Sequence, residues 1–80
     1  MLYDHRITGR IIHDLRETKG MTQEVLSGLA GVSRSHLAEI ETGHTKANVE
    51  TLWRISQAFG MKLSCIISMV EDAIERGESK

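Results

Sequence analysis

Residues 22–43, TQEVLSGLAGVSRSHLAEIETG, constrain the fold of this chain more than any other segment. Thr22 can cap a helix, and the apolar residues that follow recur at the spacing of one buried helical face: Val25, Leu26, Leu29 and Ala30. Gly31 can adopt a positive φ without a Cβ clash, so the chain can reverse there and begin a second helix at a Ser33 cap. The segment therefore predicts two short amphipathic helices joined by a tight turn.

The second of these helices presents small, polar and cationic side chains on its outer face. Leu37 and Ile40 are predicted to face the core. The outward residues are then Arg34, Ser35, His36 and Glu39. An arginine at a helix start opposes the helix dipole, which favours a role in contacting DNA over that of a solvated surface residue. We therefore interpret the helix pair as a device that reads DNA.

Four segments carry a resemblance to a known family. They are 11–23 (IIHDLRETKGMTQ), 31–34 (GVSR), 37–46 (LAEIETGHTK) and 50–67 (ETLWRISQAFGMKLSCII). Together they resemble the Xre-type helix-turn-helix repressors, which are related to lambda repressor, 434 repressor and Cro. The resemblance implies an all-α fold, a compact five-helix bundle of the lambda-repressor-like type. It also implies a sequence-specific transcriptional regulator that binds a pseudo-palindromic operator as a homodimer, with its recognition helix in the major groove.

The same resemblance implies which side chains contact double-stranded DNA. The candidates for base contacts are Arg34, Ser35, Glu39 and His36. Arginine can bond guanine in bidentate fashion, serine is permissive, and a carboxylate can accept a hydrogen bond from cytosine N4. For Glu39 and His36 a solvated surface residue remains an equal alternative. The candidates for phosphate contacts are Thr22, Gln23, Thr42, His44, Thr45 and Lys46.

Arg16 and Glu41 match a different feature of the family, a partly buried ion pair between the first helix and the end of the third. The resemblance implies that this pair supports the fold and does not contact DNA. Ala47 stands where the family frequently has proline, so a more mobile loop is expected there. Trp53 lies beside core positions of the fourth helix, and we interpret it as a packing residue.

Periodicity and capping signals place five helices in a single domain that covers residues 1–80. The predicted elements are an arm at 1–6, helix 1 at 8–18, the helix-turn-helix at 22–41, a fourth helix that follows an Asn48 cap and ends at Gly60, helix 5 at 63–75 and a frayed tail at 76–80. The fourth helix is predicted to bury Val49, Leu52, Ile55 and Phe59.

Helix 5 is predicted to carry more apolar surface than a small domain can bury. Its apolar stripe and the residues that widen it are Leu63, Ile66, Ile67, Val70 and Ile74, with Cys65, Met69 and Ala73. A helix with such a surface usually meets a partner, so we predict a homodimer interface at Ile66, Met69, Val70 and Ala73. Two alternatives stay open: a helix buried on two sides of its own domain, and an antitoxin-like or co-regulator protein-interaction module that uses helix 5.

Composition and charge argue against other classes of protein. The net charge is −1, but residues 1–62 carry a balance of +1 and residues 63–80 one of −2, so the acidic excess lies away from the proposed DNA face. No apolar run approaches the ~20 residues of a membrane span, and a single Cys65 fits a reducing compartment, so a cytoplasmic protein is predicted. The histidines lack metal-ligand spacing, and no nucleophile or glycine-rich phosphate loop accompanies the carboxylates. We predict no enzymatic activity, no metal, no cofactor and no small-molecule ligand.

Overall fold

In the computed structural model, which describes residues 2–78, the chain folds into five α-helices with no strand among those residues. The helices are α1 (His5–Thr18), α2 (Gln23–Ala30), α3 (Arg34–Thr42), α4 (Val49–Ala58) and α5 (Leu63–Glu75). α1 packs against α3 and α5, whereas α2 packs against α3 and α4. The predicted all-α architecture of five helices is confirmed.

The core consists of two clusters of buried side chains. The larger cluster joins residues from all five helices: Ile12, Leu26, Ala30, Leu37, Ile40, Leu52, Ile55, Phe59 and Ile66. The smaller one lies between α1 and α5 and contains Ile7, Ile11, Val70 and Ala73. Because α1 contributes to both clusters, it connects α2 and α3 to the last helix.

Side-chain caps begin the three central helices, as the sequence predicts. The side-chain oxygens of Thr22, Ser33 and Asn48 accept hydrogen bonds from backbone N–H groups three residues ahead, at 3.1, 3.0 and 2.8 Å. Gly31 ends α2 with a φ of 71°, which allows the tight turn into α3.

α1 begins earlier than the sequence predicts, and the arm is correspondingly shorter. Asp4 caps the helix, because its side chain accepts the backbone N–H of Arg6 at 3.0 Å. His5 is already helical, and its Nε2 lies 2.8 Å from the carbonyl oxygen of Gly43, so the start of α1 is held against the end of α3. The expectation of a loose arm at 1–6 is therefore wrong for residues 4–6, and Met1 lies outside the described residues.

The chain after α5 is also held in place over residues 76–78. The backbone N–H groups of Gly77 and Glu78 donate to the carbonyl oxygens of Ile74 and Ala73. The Glu78 carboxylate forms ion pairs with Arg10 and Arg76. The predicted fraying is thus wrong for these three residues, while residues 79–80 lie outside the part that the structure describes.

The buried faces of α2 and α4 are narrower than predicted. Leu26 and Ala30 are buried, but Val25 is half exposed and Leu29 is 62% exposed. In α4 the first residue, Val49, is 72% exposed. A short helix at the surface of a small domain buries only the stripe that faces its neighbours, and these residues lie beside that stripe or beyond its end.

The predicted interface on α5 needs the largest correction. Ile66, Val70 and Ala73 are at most 2% exposed, because α5 packs against both α1 and α4 and completes the two core clusters. A second chain cannot reach these three side chains while the domain is folded. Met69 remains accessible at 38% exposure, so it is the one residue of the predicted set that lies at the surface.

α1 and α3 cross at Gly9 with their backbones in close contact. A Cβ atom added to Gly9 would lie 2.0 Å from the carbonyl oxygen of Ile40 and 3.2 Å from that of Glu41. Only a residue without a side chain allows this approach. The crossing fixes the last turn of α3 relative to α1.

Candidate nucleic-acid interface

The outer face of α3 carries the four residues predicted to contact bases. Arg34 and Ser35 follow the cap directly and are exposed, Glu39 is exposed one turn later, and His36 is partly buried. Arg34 forms no ion pair within residues 2–78. Its guanidinium is therefore available to a ligand in front of the helix.

The segment after α3 holds the predicted phosphate residues in a compact turn. Gly43 has a φ of 84°, and the backbone N–H groups of His44 and Thr45 donate to the Glu39 carbonyl oxygen at 2.9 and 3.3 Å. The Thr42 hydroxyl lies 2.7 Å from Nδ1 of His44. Lys46 is exposed and makes no ion pair in the described part of the chain.

One contact in this turn joins a predicted base residue to a predicted phosphate residue. The Thr45 hydroxyl donates to the Glu39 carboxylate at 3.1 Å. Sequence reasoning missed this bond, because it depends on how the turn at Gly43 folds back along α3. The bond holds the Glu39 side chain along the C-terminal end of α3.

The start of α2 lies on the same face of the molecule as Arg34. A concave surface is lined by Arg34, by the cap residue Thr22 and by the first residue of α2, Gln23. The Thr22 oxygen accepts the backbone N–H of Val25 at 3.1 Å, which leaves its hydroxyl hydrogen free. A second pocket beside it is lined by Gln23 and Thr42. The structure thus brings one base candidate, Arg34, together with three phosphate candidates, Thr22, Gln23 and Thr42, along these two pockets.

Beneath this surface lies the ion pair that the family resemblance implies. Arg16 donates from Nε to Oε2 of Glu41 at 2.8 Å and from Nη2 to Oε1 at 3.0 Å. Its Nη1 donates to the carbonyl oxygen of Met21 at 2.8 Å. Both side chains are buried, and that of Glu41 is only 2% exposed. The pair therefore ties α1 to α3 and to the turn that precedes α2.

Glu41 lies within hydrogen-bonding distance of three side chains from two other helices. Its Oε1 also accepts from Nε2 of Gln23 at 3.1 Å and lies 3.1 Å from Nδ1 of His13. Burial alone raises the pKa of Glu41, but the hydrogen bonds from Arg16, Gln23 and His13 outweigh it and hold the pKa below its usual 4.5. The carboxylate is thus charged at neutral pH and positions Gln23, a predicted phosphate residue.

Within residues 2–78 no three His, Cys, Asp or Glu side chains lie close enough together to hold a metal ion. None of the described helices has the length and hydropathy that a bilayer span requires.

Comparison with known proteins identifies the class. Residues 12–64 match the helix-turn-helix family model HTH_3. The HTH-type transcriptional regulator y4dJ of Sinorhizobium fredii is 34% identical over 56 residues, or 70% of this chain and 73% of that protein. The ImmF control region 10 kDa protein of Bacillus phage phi105 is 30% identical over 77 residues, or 95% and 84% of the two chains. Some other relatives are longer, and this chain spans about half of their length.

A solved structure agrees with these relatives. The restriction–modification controller protein C.AhdI from Aeromonas hydrophila matches with a TM-score of 0.76 and 25% identity, over 81% of this chain and 98% of that one. The chain belongs to the helix-turn-helix family of the Xre, Cro/C1 type. It is a DNA-binding transcriptional regulator, and its family is not enzymatic.

Proposed function

We propose that the protein binds a pseudo-palindromic operator as a homodimer and that α3 reads base edges in the major groove. The observation that carries this proposal is the exposed Arg34 at the start of α3, which no carboxylate of residues 2–78 pairs and which shares one surface with Thr22 and Gln23. Side chains on both sides of the recognition helix are then available to contact the DNA backbone, which fixes its position. Because the ligand is DNA, the proposal also implies a cytoplasmic protein.

Arg34 and Lys46 are expected to act on DNA in different ways. Arg34→Ala should cost about 1–3 kcal/mol on the preferred operator and relax selectivity at one base pair of each half-site. Lys46→Ala should instead weaken all duplexes similarly, and reduce the slope of log K against log salt concentration by about 0.9 for each phosphate that is no longer neutralised. For a dimer this reduction in slope is about twice as large.

The operator is first obtained by selecting bound fragments from a random duplex pool. Binding of the native chain and both variants is then measured on that operator and on a scrambled duplex, each over a salt series. If Arg34→Ala leaves the ratio of the two affinities unchanged, α3 does not read bases through Arg34.

The homodimer requires a surface other than the buried stripe of α5. Exposed apolar side chains on α4 and α5 remain available: Val49, Trp53, Ile67 and Met69. In a two-fold assembly each of these four side chains would occur twice in the interface. The two copies of α3 would then reach successive half-sites if they lie about one turn of DNA apart, ~34–36 Å.

Met69→Asp is expected to weaken dimerisation at least tenfold, because it places a charge in an apolar contact and each ~1.4 kcal/mol is a factor of ten. Ser68→Asp is the matched control, since Ser68 is exposed on the same helix and is polar in the native chain. Sedimentation at micromolar concentration measures the dimerisation of both variants. A native monomer that binds a single operator with full affinity would rule out the homodimer, and an unchanged dimer in Met69→Asp would exclude this surface.

A further inference from the structure

His13 lies among charged groups at the edge of the proposed DNA surface. Its Nδ1 is 3.1 Å from Oε1 of Glu41 and 3.2 Å from Nη2 of Arg16, and its Nε2 is 3.3 Å from Oε1 of Glu17. The side chain is 39% exposed, in contrast to the buried carboxylate beneath it. Two carboxylates and one guanidinium therefore face the ring, from α1 and α3.

The same ring borders the pocket between two predicted phosphate residues. That pocket is lined by His13, Gln23, Glu41 and Thr42. His13 and Gln23 approach the same oxygen of Glu41, each at 3.1 Å, so they stand side by side although they belong to different helices. A DNA phosphate held by Gln23 and Thr42 would lie within reach of the imidazole.

We propose that His13 is a third phosphate-contacting residue of this surface and that it binds the DNA backbone in its protonated form. Affinity for DNA then rises as the pH is lowered, because only the protonated ring carries a positive charge. The inference rests on the proposed function, because it assigns a further residue and a pH response to the same surface.

The groups around the ring offer partners to each of its protonation states. In the neutral ring with hydrogen on Nε2, Nδ1 accepts from Arg16 and Nε2 donates to Glu17. In the neutral ring with hydrogen on Nδ1, that nitrogen donates to Glu41, and the doubly protonated ring donates to both carboxylates and carries a positive charge. An arriving phosphate adds a negative charge opposite Nε2, where the exposed Glu17 side chain can move aside. Phosphate binding and proton uptake therefore favour each other.

The test measures the salt dependence of binding at pH 6 and pH 8 for the native chain, His13→Gln and His13→Lys. The native slope of log K against log salt should be steeper at pH 6, by up to about 0.9 per protomer. His13→Gln should show the shallow slope at both pH values, whereas His13→Lys should show the steep slope at both. The pH effect should be equal on operator and scrambled duplex, because a phosphate contact carries no base information.

His5→Gln is the matched control, since His5 is also a histidine of α1 but is not among the predicted DNA-contacting residues, and its Nε2 lies against the carbonyl oxygen of Gly43. If His5→Gln abolishes the pH effect and His13→Gln does not, His13 is not the group responsible. If the native slope is the same at pH 6 and pH 8 while operator selectivity persists, the inference on His13 fails alone. Loss of selectivity at both pH values would contradict the proposed function itself.

Discussion

Gly9→Ala is expected to abolish stable folding, although it adds only one methyl group. The new Cβ would lie 2.0 Å from the carbonyl oxygen of Ile40, where both partners belong to helix backbones and neither can turn away. Overpacking a core typically costs about 1–3 kcal/mol, and more where nothing can move. A domain of this size has only about 4–12 kcal/mol of stability in total. Separation of α1 from α3 would also break the hydrogen bonds between Arg16 and Glu41.

Gly28→Ala provides the matched control for this substitution. Gly28 lies within α2, and a Cβ added there meets no atom within 4 Å. Alanine should therefore be neutral or stabilise the fold by about 0.5–1 kcal/mol, because glycine is unfavourable within a helix. Urea and thermal unfolding followed by circular dichroism measure both variants. Equal midpoints for Gly9→Ala and the native chain would show that the two helices are not in close contact.

Arg16→Met is expected to destabilise the fold by about 3–5 kcal/mol, because it leaves the buried Glu41 without its cation. Lys46→Met removes an exposed cation of similar length, and its effect should stay within about 0.5 kcal/mol. Adding Glu41→Gln to Arg16→Met should recover part of the stability, since the stranded charge is then absent. Equal midpoints for Arg16→Met and Lys46→Met would mean that the ion pair is solvated.

The effect of Arg16→Met on stability should depend on pH, because it depends on the charge of Glu41. In the native fold that pKa lies below 4.5, so the contribution of the ion pair is complete above about pH 4.5 and is lost as the pH falls through the folded value. Without Arg16, burial raises the pKa of the same carboxyl, and acid then relieves the stranded charge by protonating it. The stability gap between native chain and Arg16→Met should therefore narrow below about pH 4.5.

Local signals explain why so much of the fold could be predicted from the sequence. Thr22, Ser33 and Asn48 each cap a helix by bonding a backbone N–H three residues away, so the signal lies within one short segment. Helix periodicity also identifies a buried face, but it does not determine the width of that face. The predicted burial of Val25 and Leu29 is wrong because the width depends on how closely α3 and α4 approach α2.

The site shows the same limit of sequence reasoning. His13 and Arg16 are three residues apart on α1, so a shared helical face could have been predicted. Glu41 lies on another helix, 28 residues beyond His13, and only the folded chain brings them together. The DNA-binding roles of the residues on α3 and in the turn after it remain predictions until binding is measured.

The close crossing at Gly9 divides α3 into an anchored last turn and an exposed front end. Ile40 and Glu41, in its last turn, are fixed by α1, whereas Arg34 and Ser35 are exposed at its front. Mutations at the front of the helix can therefore accumulate without disturbing its anchorage. Under the proposed function, a lineage of such regulators acquires new operators through changes at a few exposed positions of α3, while the same scaffold is inherited unchanged.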